Sequence, residues 1–172
     1  MDGIPGRIFP QKFHNSIASG AAPLIDVCRA DDFDADEAFR RLRHPSRAGL
    51  SIAEALVDQR AMAGVGNVYK CEVLFIERVS PFVPVGEVDD ATLRRLIETS
   101  TRLLRANVAL QAARGAERVT TAGDRSADGP LYVYGETGRP CPRCGTTISA
   151  RQQGLELPRI TYWCPGCQGA PA

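Results

Sequence analysis

Several common features are missing from this sequence, and each absence removes a class of protein. No stretch approaches the roughly 18 consecutive apolar residues of a membrane-spanning helix, and the opening Met1-Asp2-Gly3-Ile4-Pro5-Gly6-Arg7 lacks the apolar centre of a signal peptide. A cytoplasmic, reducing location is therefore expected. Aromatic residues make up only 6% of the 172 residues, against 44% hydrophobic overall, which points to an aliphatic and mainly helical core. Charge of one sign is not in excess either: 21 Lys and Arg face 20 Asp and Glu, a formal net charge of +1. No global field draws a polyanion, so any nucleic-acid binding has to come from a local site. No internal repeat appears.

Cysteine is present in a pattern. Cys141-Pro142-Arg143-Cys144 and Cys164-Pro165-Gly166-Cys167 are two Cys-x-x-Cys knuckles, with the stretch from Gly145 to Trp163 between them. Each knuckle offers two sulfurs from a tight turn, and a pair at this separation fits a four-thiolate zinc site. Four thiolates fill the tetrahedron and leave no place for a reacting water, so the expected metal is one structural Zn2+. Two disulfides are the competing reading, and the absence of a secretory signal speaks against them. Cys28 and Cys71 lie far from the knuckles and read as small buried apolar groups.

Punctuation divides the remainder. Residues 1–30 read as a poorly ordered or remnant N-terminal segment. Asp34 and Glu37 form a capping-box signature, with Phe33 as a possible staple, ahead of a helix from Ala35 to Arg43 that His44-Pro45-Ser46 stops. Ser51 and Glu54 repeat the signature before a helix running towards Arg60. Ala63-Gly64-Val65-Gly66-Asn67 is a tight loop, and a helix from Asn67 to about Val79 follows, ended by Ser80-Pro81. Asp89 or Asp90 caps a segment from Ala91 to about Arg114, with Leu93, Leu96, Ile97, Leu104 and Val108 as its apolar stripe. Residues 115–130 read as a linker loop, Leu131-Tyr132-Val133-Tyr134 as a strand, and Ile148–Arg151 with Arg159–Trp163 as the arms of a hairpin. The expected architecture is mainly α: a multi-helix domain over 31–114 and a small four-cysteine zinc β-hairpin over 131–168.

Two places are suited to an anion. The loop with Gly64 and Gly66 opens a helix at Asn67, where free backbone N–H groups and a side-chain amide face outward. A glycine turn made only for close helix packing explains the same residues equally well. Arg159, on a metal-stiffened hairpin, offers a forked and permanently charged donor suited to phosphate, or is a solvated surface arginine.

The run from Leu56 to Phe75, LVDQRAMAGVGNVYKCEVLF, resembles the helix–two-turns–helix signature of the formamidopyrimidine-DNA glycosylase/endonuclease VIII family. Val133-Tyr134-Gly135, Arg139-Pro140-Cys141 and the stretch from Arg159 to Gln168 resemble that family's zinc finger, with the Tyr-Trp-Cys-Pro-Gly-Cys-Gln ending of the endonuclease VIII branch. The resemblance covers about residues 24–168 in the family's order. It implies that Asn67 and Arg159 grip phosphates flanking a damaged nucleotide, and that the partner is double-stranded DNA, damaged or abasic, held by a monomer on the bacterial nucleoid. It implies a place in base excision repair, in a family of bifunctional glycosylase/AP lyases. Members begin with Pro-Glu, the amine nucleophile and its carboxylate; this sequence has Asp2, and Pro5 and Pro10 are internal amides. No catalytic residue is therefore assigned, and the chain alone is expected to be inactive. Truncation or a misassigned start in a complete enzyme is an alternative expectation, as is a zinc-ribbon protein-interaction domain. Some relatives carry a phosphate-contacting lysine where this sequence has Ala53, and many have glycine where Leu157-Pro158 stands.

Overall fold

Four helices pack around an aliphatic core, and a two-stranded hairpin leans against one of them. The computed structural model describes residues 33–114, 121, 131–154 and 158–170. The expected N-terminal segment, and the expected linker apart from Thr121, lie outside those residues.

Helix α1 (Ala35–Leu42) starts at Asp34, whose carboxylate accepts the Glu37 N–H at 2.8 Å. The reciprocal half of the expected box is not made. The Glu37 side chain instead pairs with Arg40 and Arg41 one turn on. Pro45–Arg47 forms a single 3-10 turn after the helix stops. Helix α2 (Ile52–Leu56) does carry the complete Ser51/Glu54 box, but it ends at Leu56 rather than continuing towards Arg60. Asp58 ends it: its carbonyl accepts the N–H groups of Ala61 and Met62, and its carboxylate takes Arg47 and the Arg60 N–H.

Helix α3 (Asn67–Ile76) follows the glycine loop and is buried on almost every side from Lys70 to Phe75. It stops three residues before the expected Val79. Arg78 adopts a left-handed φ of 56°, Arg78 N–H returns to the Phe75 carbonyl and Val79 N–H to the Leu74 carbonyl. That is a Schellman ending built on arginine in place of glycine, so the Ser80-Pro81 pair follows the stop and does not cause it. Helix α4 (Asp90–Arg114) opens with the Asp89 carboxylate accepting the Thr92 N–H. Its Leu93, Leu96, Ile97 and Leu104 join Leu42, Ile52, Leu56, Met62 and Leu74 in the core. Val108, placed on the same stripe by periodicity, is 39% exposed.

The hairpin pairs β1 (Ser149–Gln153) antiparallel with β2 (Arg159–Trp163), in register Ser149↔Trp163 through Gln153↔Arg159. A four-residue helix α5 (Pro165–Gln168) carries the second knuckle. The stretch 131–134 is not a strand. Its N–H groups at Tyr132, Val133 and Tyr134 all donate to the carboxylate of Glu72, at 2.8–2.9 Å, while Val133 is buried beside Phe75. Sequence favoured a strand through the β-rich Leu-Tyr-Val-Tyr run, but a side chain some sixty positions earlier takes the donors a ladder would have used. Among the described residues no helix is long and apolar enough to cross a membrane.

Candidate nucleic-acid interface and metal centre

The four knuckle sulfurs converge. The Sγ atoms of Cys141, Cys144, Cys164 and Cys167 all lie within 4.8 Å of one another, with Cys141–Cys167 at 3.9 Å and Cys144–Cys164 at 3.4 Å. A tetrahedron with Zn–S near 2.3 Å has S–S edges of about 3.8 Å, so the donor set and its spacing fit one zinc ion. All four are free thiols, which removes the disulfide reading. Local backbone supports the geometry: the Arg143 N–H points at Cys141 Sγ at 3.4 Å, and Gly145 turns the first knuckle with a φ of +76°. Gly166 has to be glycine, because a Cβ there would stand 2.5 Å from Thr146 Oγ1 and 3.1 Å from Cys144 Sγ. Hydrogen bonds from Thr146 hold the Cys144 thiol down at about 6, whereas burial pushes Cys164 up to about 12 and raises Cys167. Left to themselves the four would not all ionise at neutral pH; a bound cation supplies the field that does.

The knuckles are fastened to the helices. Gln168 accepts the Cys164 N–H and donates to the Val79 carbonyl, both at 2.9 Å. Arg143 donates to the Phe75 carbonyl at 2.8 Å with its guanidinium 4.3 Å from the centre of the Phe75 ring. Arg151 lies 4.1 Å from the centre of the Phe82 ring, which meets Trp163 edge-on.

The residues singled out for anion binding come together. Gly64 sits at φ +92°, a backbone that favours glycine. Gly66, not Asn67, is the N-cap of α3, and no side-chain cap bond is made. Asn67 occupies the first helical position and its amide donates to the Ile160 carbonyl at 2.9 Å, leaving its Oδ1 buried without a partner among the described residues. One of the two N–H donors of the amide expected to cap the helix or reach a phosphate thus goes to the hairpin. It fixes the start of α3 beside the residue that follows Arg159. Arg159 itself is exposed, and among the described residues no carboxylate pairs with it. It lines a cleft of about 570 Å³ with Leu50, Ala53, Glu54, Lys70 and Gln153.

Sequence reasoning passed over two residues. Glu72 (0% exposed) and Lys70 (2% exposed) are charged groups inside a helix that is otherwise apolar all round. Such a helix is buried on every face, and that was the available signal: a charge there has to meet a partner from another element. Glu72 meets the 131–134 backbone, and Lys70 donates to Thr161 Oγ1 at 2.8 Å.

Residues 23–118 match the family model of the formamidopyrimidine-DNA glycosylase H2TH domain. The chain is 44% identical over 143 residues to "Probable endonuclease 8 2" of Streptomyces coelicolor, covering 82% of this chain and 48% of that protein. It is 41% identical over 140 residues to "Endonuclease 8 2" of Mycobacterium tuberculosis, covering 81% and 49%. Among solved structures, MutM (Fpg) of Thermus thermophilus aligns with a TM-score of 0.63 at 33% identity, covering 84% of this chain and 53% of that one. A Lactococcus lactis Fpg mutant in complex with Fapy-dG-containing DNA aligns with a TM-score of 0.64 at 27% identity, covering 83% and 51%. The chain spans about half the length of the curated relatives it matches. With the helical loop, the cysteine cluster and these likenesses in agreement, the chain belongs to the formamidopyrimidine-DNA glycosylase/endonuclease VIII family and corresponds to its C-terminal, helix–two-turns–helix and finger half.

Proposed function

We propose that these 172 residues are the DNA-gripping part of a base-excision-repair glycosylase/AP lyase. They hold double-stranded DNA, damaged or abasic, through its phosphates, as a monomer on the bacterial nucleoid. Residues 31–114 serve as the DNA-binding domain and 131–168 as a finger stiffened by one structural zinc on Cys141, Cys144, Cys164 and Cys167. Such contacts position a protein on the duplex and carry no sequence information.

The observation that carries the reading is the bond from Asn67 Nδ2 to the Ile160 carbonyl. It joins the start of α3 to the hairpin at the residue beside Arg159, so that a helix N-terminus and a guanidinium with no carboxylate partner among the described residues form one surface. Gly66 adds support. Its φ of −96° is open to any residue, and a Cβ there would meet nothing within 4 Å. The fold does not demand glycine at 66, whereas close approach of a phosphate to the backbone N–H groups would.

The test is binding of the zinc-loaded chain to a duplex with an abasic-site analogue, measured across a salt series. Binding is expected to weaken as salt rises, and Arg159→Ala to reduce the log–log slope by about one. A slope that Arg159→Ala leaves unchanged would refute the grip. The same mixture with a true abasic site and borohydride is expected to give no covalent adduct; an adduct would place cleavage chemistry within this chain.

A further inference from the structure

Lys70 stands at the floor of the cleft between α2 and β2, with Ala53 and Glu54 on one wall and Gln153, Gly154 and Arg159 on the other. Its ammonium begins a directed chain of hydrogen bonds. Lys70 Nζ donates to Thr161 Oγ1 at 2.8 Å, and Thr161 donates to Gln153 Oε1 at 2.9 Å. Gln153 Nε2 donates to Ser51 Oγ at 2.6 Å and to the Pro81 carbonyl at 3.1 Å, and Ser51 donates to Glu54 Oε2 at 2.5 Å. Each hydroxyl accepts at one side and donates at the other, so the direction is fixed from the cation to the carboxylate. Glu54 is occupied at the end of that chain, where it also accepts the Ser51 N–H. Asp58, the other carboxylate of the cleft, is held by Arg47 and the Arg60 N–H.

Lys70 and Arg159 keep donors to spare in the cleft, whereas Glu54 is held by Ser51 and by no cation among the described residues. An ammonium has three N–H donors, and one of Lys70's goes to Thr161. Arg159 has no carboxylate partner among the described residues, and the two cations feel each other. Burial is the main influence lowering the Lys70 amine, and the Arg159 charge adds to it against the opposing effects of Cys71 and Glu54. Two like charges lining one cleft, Arg159 exposed and Lys70 2% exposed, are relieved by an anion that reaches the cleft floor. The small side chain of Ala53 leaves the room for it.

We propose that Lys70 is a phosphate-binding residue of this chain, taking one backbone phosphate of the DNA strand jointly with Arg159 in the cleft walled by Ala53. The inference rests on the DNA-gripping reading above. Thr161, Gln153 and Ser51 are positioning residues: they hold the ammonium at the cleft and touch no phosphate.

The sequence contains two lysines, Lys12 and Lys70, so lysine side-chain labelling with 13C gives two resonances, which Lys12→Arg assigns. In the zinc-loaded chain, titration with the abasic-analogue duplex is expected to shift the Lys70 resonance in step with binding. Lys70→Met is expected to lower the salt slope by about one, with zinc content and hairpin amide protection unchanged, and adding Ala53→Lys to restore it. Thr161→Val, which removes the positioning partner and keeps the charge, is expected to weaken duplex binding and to reduce the shift of the Lys70 resonance at saturation. A Lys70 resonance that stays still at saturation overturns the proposal, even if Lys70→Met fails to fold. So does a slope that Lys70→Met leaves unchanged while Arg159→Ala lowers it, and in that case the grip itself survives. A resonance that inorganic phosphate shifts at the same phosphate concentration would mark a free-anion site and equally overturn it. If the wild-type chain shows no salt-dependent binding, the grip falls and this inference with it.

Discussion

Glu72 is a buried carboxylate with no ion pair among the described residues, satisfied by three backbone N–H groups and the Thr121 hydroxyl. Two donors meet each carboxylate oxygen, so losing either oxygen as an acceptor costs more than one ordinary hydrogen bond. Glu72→Gln turns one acceptor oxygen into a donor and is expected to destabilise by about 2–3 kcal/mol, read as a lowered urea midpoint. Amide exchange at Tyr132, Val133 and Tyr134 should rise with it. Unchanged protection there would mean that the segment is held by its ring contacts instead. Asp58 does the corresponding work for the loop after α2. Burial pushes its carboxyl up, but the Arg47 guanidinium and the Arg60 N–H outweigh that and hold it below the usual 3.8. A carboxyl whose folded value is depressed stabilises fully above its ordinary range, and that stabilisation disappears as pH falls through the folded value. Asp58→Asn should therefore cost about 1 kcal/mol at neutral pH, a figure kept low by partial exposure. The difference from wild type should close well below pH 3.8. A urea-midpoint difference that persists in acid would assign the effect to shape and not to charge.

At the scale of elements, the two loop glycines separate fold from function. Gly64 lies at φ +92°, so Gly64→Ala is expected to destabilise by roughly 1 kcal/mol through backbone strain. Gly66→Ala meets open space at an ordinary φ and should leave thermal stability within a few tenths of a kcal/mol while weakening duplex binding. If Gly66→Ala binds duplex as well as wild type, the N-terminus of α3 is not a phosphate seat. The same contrast shows what the sequence could disclose. Caps written in adjacent residues were legible, since Asp34, Ser51 and Asp89 sit where their side chains act within three positions. So was the cysteine spacing. The ends of α2 and α3 were not, because Asp58 acts through an arginine eleven positions away and Arg78 adopts a glycine-like backbone without being glycine. Nor was the fate of 131–134 legible, nor the place of Lys70. Both depend on which element folds against α3, and periodicity along one chain does not record that.

At the scale of the whole molecule, the finger has little interior of its own. Val133, Cys141, Ile148 and Cys164 complete their cluster with Cys71 and Phe75 from α3. The helical core of Leu42, Ile52, Leu56, Leu93, Leu96 and Ile97 needs nothing from the finger. That asymmetry predicts the order in which the parts fail when the metal is removed. Thiolate zinc contributes on the order of 10 kcal/mol to folding, far more than a five-residue hairpin can replace. Chelation should therefore abolish amide protection across Ser149–Gln153 and Arg159–Trp163, while α1 and α4 keep theirs and α3 loses protection only around Cys71 and Phe75. Duplex binding should fall with the hairpin, because Arg159, Thr161 and the Ile160 carbonyl that Asn67 holds all sit on β2. Exchange measured before and after a zinc chelator decides the matter. A hairpin that stays protected would show that packing on α3 suffices without metal. Simultaneous loss across α1 and α4 would show that the two cores are one cooperative unit, with the finger supporting the helices as much as it leans on them.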